Sequence, residues 1–102
     1  MDIIEIKLND VEGAMNELAE RMFLNFKYDP DDTSQGNWDY FWSAVGESKK
    51  ENFLKIIFYY DKSETGLMED FQFQFENNIK PLYTKEGKTL EVEYIKKGKK
   101  KK

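Results

Sequence analysis

The sequence predicts an α/β fold, with about three mainly parallel strands packed with three to four helices. Three segments rich in β-branched and aromatic residues predict strands, and three segments with helical apolar spacing predict helices. Their order along the chain is β-α-α-β-α-β. Strands separated by helices usually run parallel, because right-handed helical crossovers connect them. At 102 residues the chain has room for one hydrophobic core.

The first strand and the first helix follow one another near the N-terminus. A β-branched run over residues 3–8 predicts the strand, and its Ile3-Ile4 doublet favours a strand covered on both faces. Asn9, with Glu12 three residues later, has the pattern of a helix start. Apolar residues then recur at helical spacing to about Phe23, namely Val11, Met15, Leu18 and Met22.

An acidic loop precedes a short aromatic helix. Residues 27–36 include Pro30 and Gly36, which interrupt regular structure. Three carboxylates lie close together in this loop, those of Asp29, Asp31 and Asp32. Asn37 is suited to cap the next helix and Gly46 to end it. Between them, apolar residues fall at positions i, i+3, i+4 and i+7: Trp38, Phe41, Trp42 and Val45.

The second half of the chain begins and ends with a strand. The run from Phe53 to Tyr60 is mostly apolar and rich in aromatic and β-branched residues, so it predicts a central strand. Thr89 to Ile95 has a similar but weaker pattern and predicts the last strand.

The segment between these strands fits two templates. Leu67, Phe71, Phe75 and Ile79 repeat every four residues, whereas Phe71, Phe73 and Phe75 alternate as in a strand. We predict a helix over residues 67–79, because Glu69 and Asp70 suit a helix N-terminus. Pro81 and Gly87 are the candidate positions for its end.

Charge divides the chain into an acidic body and a basic end. Six of the sixteen basic residues fall within residues 96–102, which leaves ten basic against twenty acidic residues in 1–95, a net charge of −10. We predict a single domain over residues 1–95 and a Lys-rich disordered tail over residues 96–102. The field of the body attracts basic proteins and repels nucleic acid, so we expect a cationic protein partner and no direct nucleic-acid contact.

Cysteine and histidine are both absent from the sequence. Without cysteine there is no disulfide, which suits the reducing cytoplasm. Without histidine the usual general base at neutral pH and the imidazole metal ligand are missing. We therefore expect a cytoplasmic protein that is not an enzyme and holds no metal or other cofactor. A carboxylate, lysine or tyrosine with a strongly shifted pKa is what an enzymatic alternative would need. No apolar run is long enough for a membrane span, and we expect no membrane contact.

The second helix and the loop before it contain the predicted binding residues. On helical geometry Trp38 faces the core, Trp42 lies at the border, and Tyr40 and Ser43 lie on another face beside Asp39. Trp and Tyr often dominate the energetics of protein interfaces. The predicted partner-binding set is Asp29, Asp31, Asp32, Asp39, Tyr40, Trp42 and Ser43.

The loop carboxylates have three interpretations. Asp-x-Asp can begin a calcium loop, but Ser34 and Tyr40 occupy the positions where an EF-hand needs Gly and Glu, so we predict no metal site. Simple solvation is the commoner role of such a loop. In the third interpretation, the carboxylates imitate nucleic-acid phosphates and occupy the cationic groove of a nuclease, which the charge of the body favours.

Residues 37–42, Asn-Trp-Asp-Tyr-Phe-Trp, resemble the Asn-Trp/Leu-Asp-Ala-Leu-Trp segment of the barstar family, small acidic proteins that inhibit secreted ribonucleases inside the producing cell. That family has the same order of elements and carries this motif on its second helix. The resemblance implies a barstar-like fold over residues 3–95 and a ribonuclease-covering role for Asp39 and Trp42.

Two positions depart from the family pattern. Ser43 stands where the family usually has an aspartate, so one acidic contact is missing. Gly36 and Asn37 are adjacent, whereas the family separates these residues by one, and the preceding loop is longer. Our hypothesis is that the three loop aspartates substitute for the lost charge.

The expected function is that of an immunity protein, which binds a cognate basic toxin nuclease and blocks its active site with an acidic surface. A ribonuclease from a contact-dependent or polymorphic toxin system is the expected target. The alternative is an acidic adaptor or regulatory module that binds a basic protein without inhibiting an enzyme. All-helical inhibitors of DNase toxins share the charge but lack the strands predicted here.

Overall fold

Three strands lie side by side in one sheet. The computed structural model describes residues 2–97, with β1 at Asp2–Lys7, β2 at Phe53–Tyr60 and β3 at Thr89–Lys96. β2 lies in the middle and pairs in parallel with both neighbours. The predicted α/β class, the parallel strands and the central position of the second strand are confirmed.

Two helices connect β1 to β2, and both begin at residues other than those predicted. Helix α1 spans Val11–Arg21 and is capped by Asp10, whose carboxylate accepts the Gly13 N–H at 2.6 Å, and not by Asn9. Helix α2 spans Ser34–Glu47, because Thr33 Oγ1 accepts the Gly36 N–H at 2.9 Å. Neighbouring Asn, Asp and Thr residues are all good caps, so the path of the incoming chain decides which one is used.

A continuous helical segment connects β2 to β3, and it comprises a 3-10 turn at Lys62–Glu64, α3 at Thr65–Gln74, a π-helical turn at Phe75–Ile79 and α4 at Lys80–Lys85. The helix predicted for residues 67–79 is confirmed. Phe71 and Phe75 are fully buried while Phe73 is 61% exposed, so burial follows the helical pattern and not the alternating one.

Pro81 does not end this segment, although its sequence position suggested a stop. The proline lies in the first turn of α4, where a missing N–H is tolerated. In a regular helix its ring would meet the carbonyl four residues earlier, and the backbone widens to the π form directly before it. The segment ends at Gly87, which has a φ of +74°.

Burial alternates along the strands, so only one face of the sheet is covered by helices. Ile4, Ile56 and Phe58 are buried on the covered face. The other face is open, with Ile3 49% exposed and a Lys55–Glu93 ion pair at 3.3 Å. The prediction that the first strand is covered on both faces is therefore wrong. A doublet of isoleucines does not require two covered faces, since each side chain points to a different side.

An aromatic cluster fills the space between the sheet and the helices. Trp38, predicted to be buried, is 4% exposed, and its ring centroid lies 4.9 Å from that of Phe71 and 5.8 Å from that of Phe41. Edge-on ring pairs of this kind contribute about 0.5–1.5 kcal/mol each beyond the area they bury. The cluster fixes the rotation of α2 and thereby the direction of its outer side.

The last strand continues one residue past the predicted boundary at Ile95. Lys96 pairs with Tyr60, and the Lys97 N–H donates to the Tyr60 carbonyl at 2.8 Å. The Lys97 ammonium lies 4.9 Å from the centre of the Tyr59 ring. Residues 98–102, the remainder of the predicted disordered tail, lie outside the described residues. Between residues 2 and 97, no helix is both long and apolar enough to cross a membrane.

Candidate protein-binding site

Four of the predicted binding residues lie on the outer side of α2. Successive residues of an α-helix are about 100° apart, so residues 39, 40, 42 and 43 turn away from the side on which Trp38 and Phe41 enter the core. Their burial agrees with this geometry, because all four are exposed. The structure thus brings together the side chains of Asp39, Tyr40, Trp42 and Ser43.

The two aromatic rings of this group are held differently. Tyr40 is 44% exposed, and its ring centroid lies 4.7 Å from that of Phe26, which packs in turn on the buried Phe41. Trp42, for which the sequence left core and surface equally open, is on the surface and 43% exposed. Both rings therefore have an exposed part that a partner can cover, and the ring of Tyr40 is also held by Phe26.

Asp39 is oriented by a chain of side-chain amides. Gln35 Nε2 donates to the Asp39 carboxylate at 2.9 Å, and Gln35 Oε1 accepts from Gln74 Nε2 at 3.5 Å. Gln74 is buried and accepts in turn from Asn78 Nδ2 at 2.9 Å, within the π-helical turn. One rotamer of Asp39 is therefore stabilised from two helices.

The acidic loop is tied to α2 by Asn37, which is 1% exposed. Its Oδ1 accepts the Asp29 N–H at 2.7 Å, and its Nδ2 donates to the carbonyls of Asp29 and Thr33, both at 2.9 Å. The sequence predicted Asn37 as a helix cap, and this role is wrong, because the helix already begins at Ser34. Inside the helix its amide instead satisfies the backbone of the loop.

The loop carboxylates contact backbone N–H groups. Asp29 Oδ1 accepts the N–H of Asp31 at 2.9 Å, and Asp32 Oδ1 accepts the N–H of Thr33 at 2.7 Å. The Asp32 carboxylate also lies over the first turn of α2, where a β-carbon at Gly36 would be only 2.5 Å from its oxygens. The Asp32 carboxylate, at the level of Gly36, thus lies about one turn before Asp39 and Tyr40 along α2.

We call the seven residues Asp29, Asp31, Asp32, Asp39, Tyr40, Trp42 and Ser43 the acidic face. All seven are exposed, and the loop runs directly into the helix that carries the other four. No three carboxylates among residues 2–97 are arranged to hold a metal ion. The arrangement instead presents negative charge beside two partly exposed rings.

Sequence reasoning missed the residues that support this face. Gln35 and Gln74 are 39 positions apart and contact only because α2 packs beside the α3 segment. Asn37 was singled out, but for a different role. No local pattern marks a buried amide that holds a loop, since the signal is its burial, which only the fold reveals.

No protein-family model, curated protein or solved structure matches this chain. The resemblance to the barstar family over residues 37–42 therefore stays a prediction from the sequence.

Proposed function

We propose that the chain is an immunity protein, which binds a cognate basic toxin nuclease with its acidic face and blocks the active site of that enzyme. The observation that carries the proposal is the pairing of exposed carboxylates with two half-exposed aromatic rings on one side of α2. Desolvated aromatic anchors supply binding energy, and the surrounding carboxylates select a cationic partner.

A barstar-like fold is part of this proposal. Two observations support it: the Asn-Trp-Asp-Tyr-Phe-Trp motif lies on α2, and a parallel three-stranded sheet packs against helices on one side. We place the protein's site of action in the cytoplasm, where a chain without cysteine is at no disadvantage.

Inhibition in this proposal requires no chemistry from the chain itself. A nuclease that binds a polyanion has a cationic groove, and carboxylates spaced along a rigid surface can occupy the positions of phosphates. The amide chain behind Asp39 and the tie at Asn37 keep these carboxylates in place before binding. Little side-chain entropy is then lost on association, which favours tight binding.

The neutral Ser43 reduces the charge of the helix relative to the barstar pattern. Three loop carboxylates lie next to the same helix and offset the loss in this proposal. Two of them accept backbone hydrogen bonds, so replacing them by lysine would disturb the loop as well as its charge. Asparagine keeps an accepting side-chain oxygen and removes only the charge, so it tests the charge without removing the hydrogen bond.

The experiment is inhibition of a purified toxin ribonuclease, namely the product of the gene adjacent to that of this chain, by the whole chain. We expect a one-to-one complex in which RNA cleavage stops. Asp39→Lys should weaken inhibition by a hundredfold or more, about 3 kcal/mol, as for a central charged contact. Glu91→Lys on the open face of the sheet is the matched control and should inhibit as the wild type does.

The loop is tested separately with Asp29→Asn, Asp31→Asn and Asp32→Asn combined. We expect the association rate with the same nuclease to fall by about tenfold at low salt, because steering depends on charge. Trp42→Ala should raise the dissociation rate instead, and Ile3→Ala on the open sheet face serves as its control. Unchanged affinity in the triple variant would refute the role of the loop.

The adaptor alternative predicts a different result in the same assay. A basic protein would bind the acidic face and keep its full activity. If the partner binds without being inhibited, and Asp39→Lys weakens this binding while Glu91→Lys does not, the acidic face is a binding surface but the chain is not an immunity protein.

A further inference from the structure

A cavity of about 800 Å³ lies at the amino-terminal ends of the strands. Its walls come from the starts of β1 and β2, the end of α1, the residues after α2 and the end of the α3–α4 segment. Pockets for small molecules usually measure about 300–1,000 Å³. Among the described residues, those that line the cavity include none of the acidic face, so it is a separate feature.

The cavity concentrates positive charge in an acidic protein. Of the ten basic residues within residues 1–95, four line it, whereas only two of the twenty acidic residues do. The basic residues are Arg21, Lys49, Lys50 and Lys88, and the acidic ones are Asp2 and Glu51. Such a local excess attracts anions against the field of the body.

Two of the four cations belong to the wall. The Lys50 side chain is fully buried, and its ammonium donates to Glu86 at 2.8 Å and to the carbonyls of Gly46 and Ser48. Lys88 Nζ donates to the Lys50 carbonyl at 2.7 Å. Among residues 2–97, the Arg21 guanidinium pairs only with Glu17, in a long and exposed contact at 3.4 Å. Arg21 and Lys49 are therefore the cations best able to turn toward a ligand.

A tyrosine side chain lines the same space. Tyr83 is 2% exposed, and it is one of the residues that line the cavity. Burial, together with the nearby carboxylates of Glu51 and Glu86, raises the pKa of Tyr83 to about 12. The hydroxyl thus keeps its proton at neutral pH and can donate a hydrogen bond to a ligand in the cavity.

Phe23, at the edge of the cavity, has a left-handed backbone conformation that is unfavourable for a residue other than glycine. It ends α1 with a φ of +58°, while Leu24 N–H donates to the Ala19 carbonyl and Phe23 N–H to that of Glu20. This is the Schellman arrangement, in which glycine is the preferred residue. The Phe23 ring is 91% exposed and adds nothing to the core. A strained, exposed ring beside a cavity points to a role outside the fold.

We propose that this cavity binds a small organic anion that carries a phosphate, sulfate or carboxylate group next to an apolar ring. Arg21 and Lys49 bind the anionic group, the Tyr83 hydroxyl donates to it, and Phe23 covers the ring of the ligand. Ile4, Met22 and Leu54 supply the apolar part of the wall.

The test is titration of the whole chain with phenyl phosphate, followed through backbone amide chemical shifts. We expect one saturable site, with the shifts concentrated at Met22, Asn52 and Leu54. Inorganic phosphate has the anionic group without the ring, and benzyl alcohol has the ring without the anionic group. Each should bind at least about tenfold more weakly than phenyl phosphate. Failure of phenyl phosphate to saturate at about 10 mM would overturn the proposal, as would equal binding of either fragment.

Three variants separate binding from folding. Lys49→Gln should weaken the binding of phenyl phosphate about fivefold. Lys62 is an exposed lysine after β2, and Lys62→Gln should leave this affinity unchanged. Phe23→Gly should weaken binding by a similar factor and yet raise the thermal midpoint by roughly 3 °C, because glycine adopts positive φ without strain. Unaltered binding in both Lys49→Gln and Phe23→Gly would contradict the assignment.

Discussion

Asn37 is the residue on which the shape of the acidic loop depends most. Its amide makes three hydrogen bonds of 2.7–2.9 Å to the backbone of Asp29 and Thr33. The residue is almost completely buried, so water cannot replace these bonds when the side chain is removed. Loss of the amide therefore leaves backbone groups without partners as well as a loop without its anchor.

We expect Asn37→Ala to lower the free energy of unfolding by about 2–3 kcal/mol, since hydrogen bonds are lost and buried polar groups remain. Urea denaturation measures the change. Asn77→Ala is the control and should cost less than about 1 kcal/mol. Asn77 is exposed, and within the described part of the chain its side chain makes one hydrogen bond, to the Phe73 carbonyl. Equal losses of unfolding free energy in the two variants would contradict the stabilising role of the buried Asn37 amide.

Glu86 compensates the buried charge of Lys50. The hydrogen bond from Lys50 lowers the pKa of the Glu86 carboxyl below its ordinary value of 4.5. The unfolded chain, which lacks this contact, binds a proton at Glu86 more readily than the native state does. The stabilising contribution is therefore present above pH 4.5 and is lost as the pH falls through the lowered pKa.

Glu86→Gln should accordingly lower the free energy of unfolding at pH 7, because Lys50 stays buried without its carboxylate. The difference from the wild type should shrink as the pH falls below 4.5. Urea denaturation at a series of pH values measures it. Glu69→Gln, on the exposed side of α3, is the control and should show no such convergence. A pH-independent difference would contradict the role of the charge.

At the scale of elements, strand and helix types were predictable where a periodic pattern is long. β2 matches its predicted bounds, Phe53 to Tyr60, because the polar residues Asn52 and Asp61 flank its apolar and aromatic run. Helix ends were less predictable, since several capping residues stand side by side. The π-helical turn at Phe75–Ile79 leaves no sequence signal except the proline that follows it.

The start of α1 gives a direct test of this ambiguity. Asp10→Ala should cost about 1 kcal/mol of stability, because the Gly13 N–H loses its acceptor at 2.6 Å. Asn9→Ala, at the position that the sequence favoured, should change stability by less than about 0.5 kcal/mol. Thermal unfolding of the two variants distinguishes them, and a larger loss at Asn9 would reverse the assignment of the cap.

For the whole molecule, the sequence predicted the sign of the net charge, but it did not predict that basic residues gather around one cavity. The acidic loop and the outer side of α2 are close in sequence, so their contiguity could be predicted from helical geometry alone. Lys49 and Lys88 are 39 positions apart, and they share a cavity only because the strands that follow them, β2 and β3, are parallel neighbours. A parallel sheet gathers the residues before each strand at one edge, and this depends on topology that residue patterns do not fix.

The two tryptophans of α2 differ in exposure, and this gives the protein a pair of intrinsic fluorescent reporters. Trp38 is enclosed by aromatic rings and should emit at short wavelength until the chain unfolds, whereas the half-exposed Trp42 should be open to quenching by acrylamide in the folded state. With Trp42→Phe the remaining signal follows folding, and with Trp38→Phe it follows coverage of the helix surface. A bound partner can thus be detected optically without any attached label.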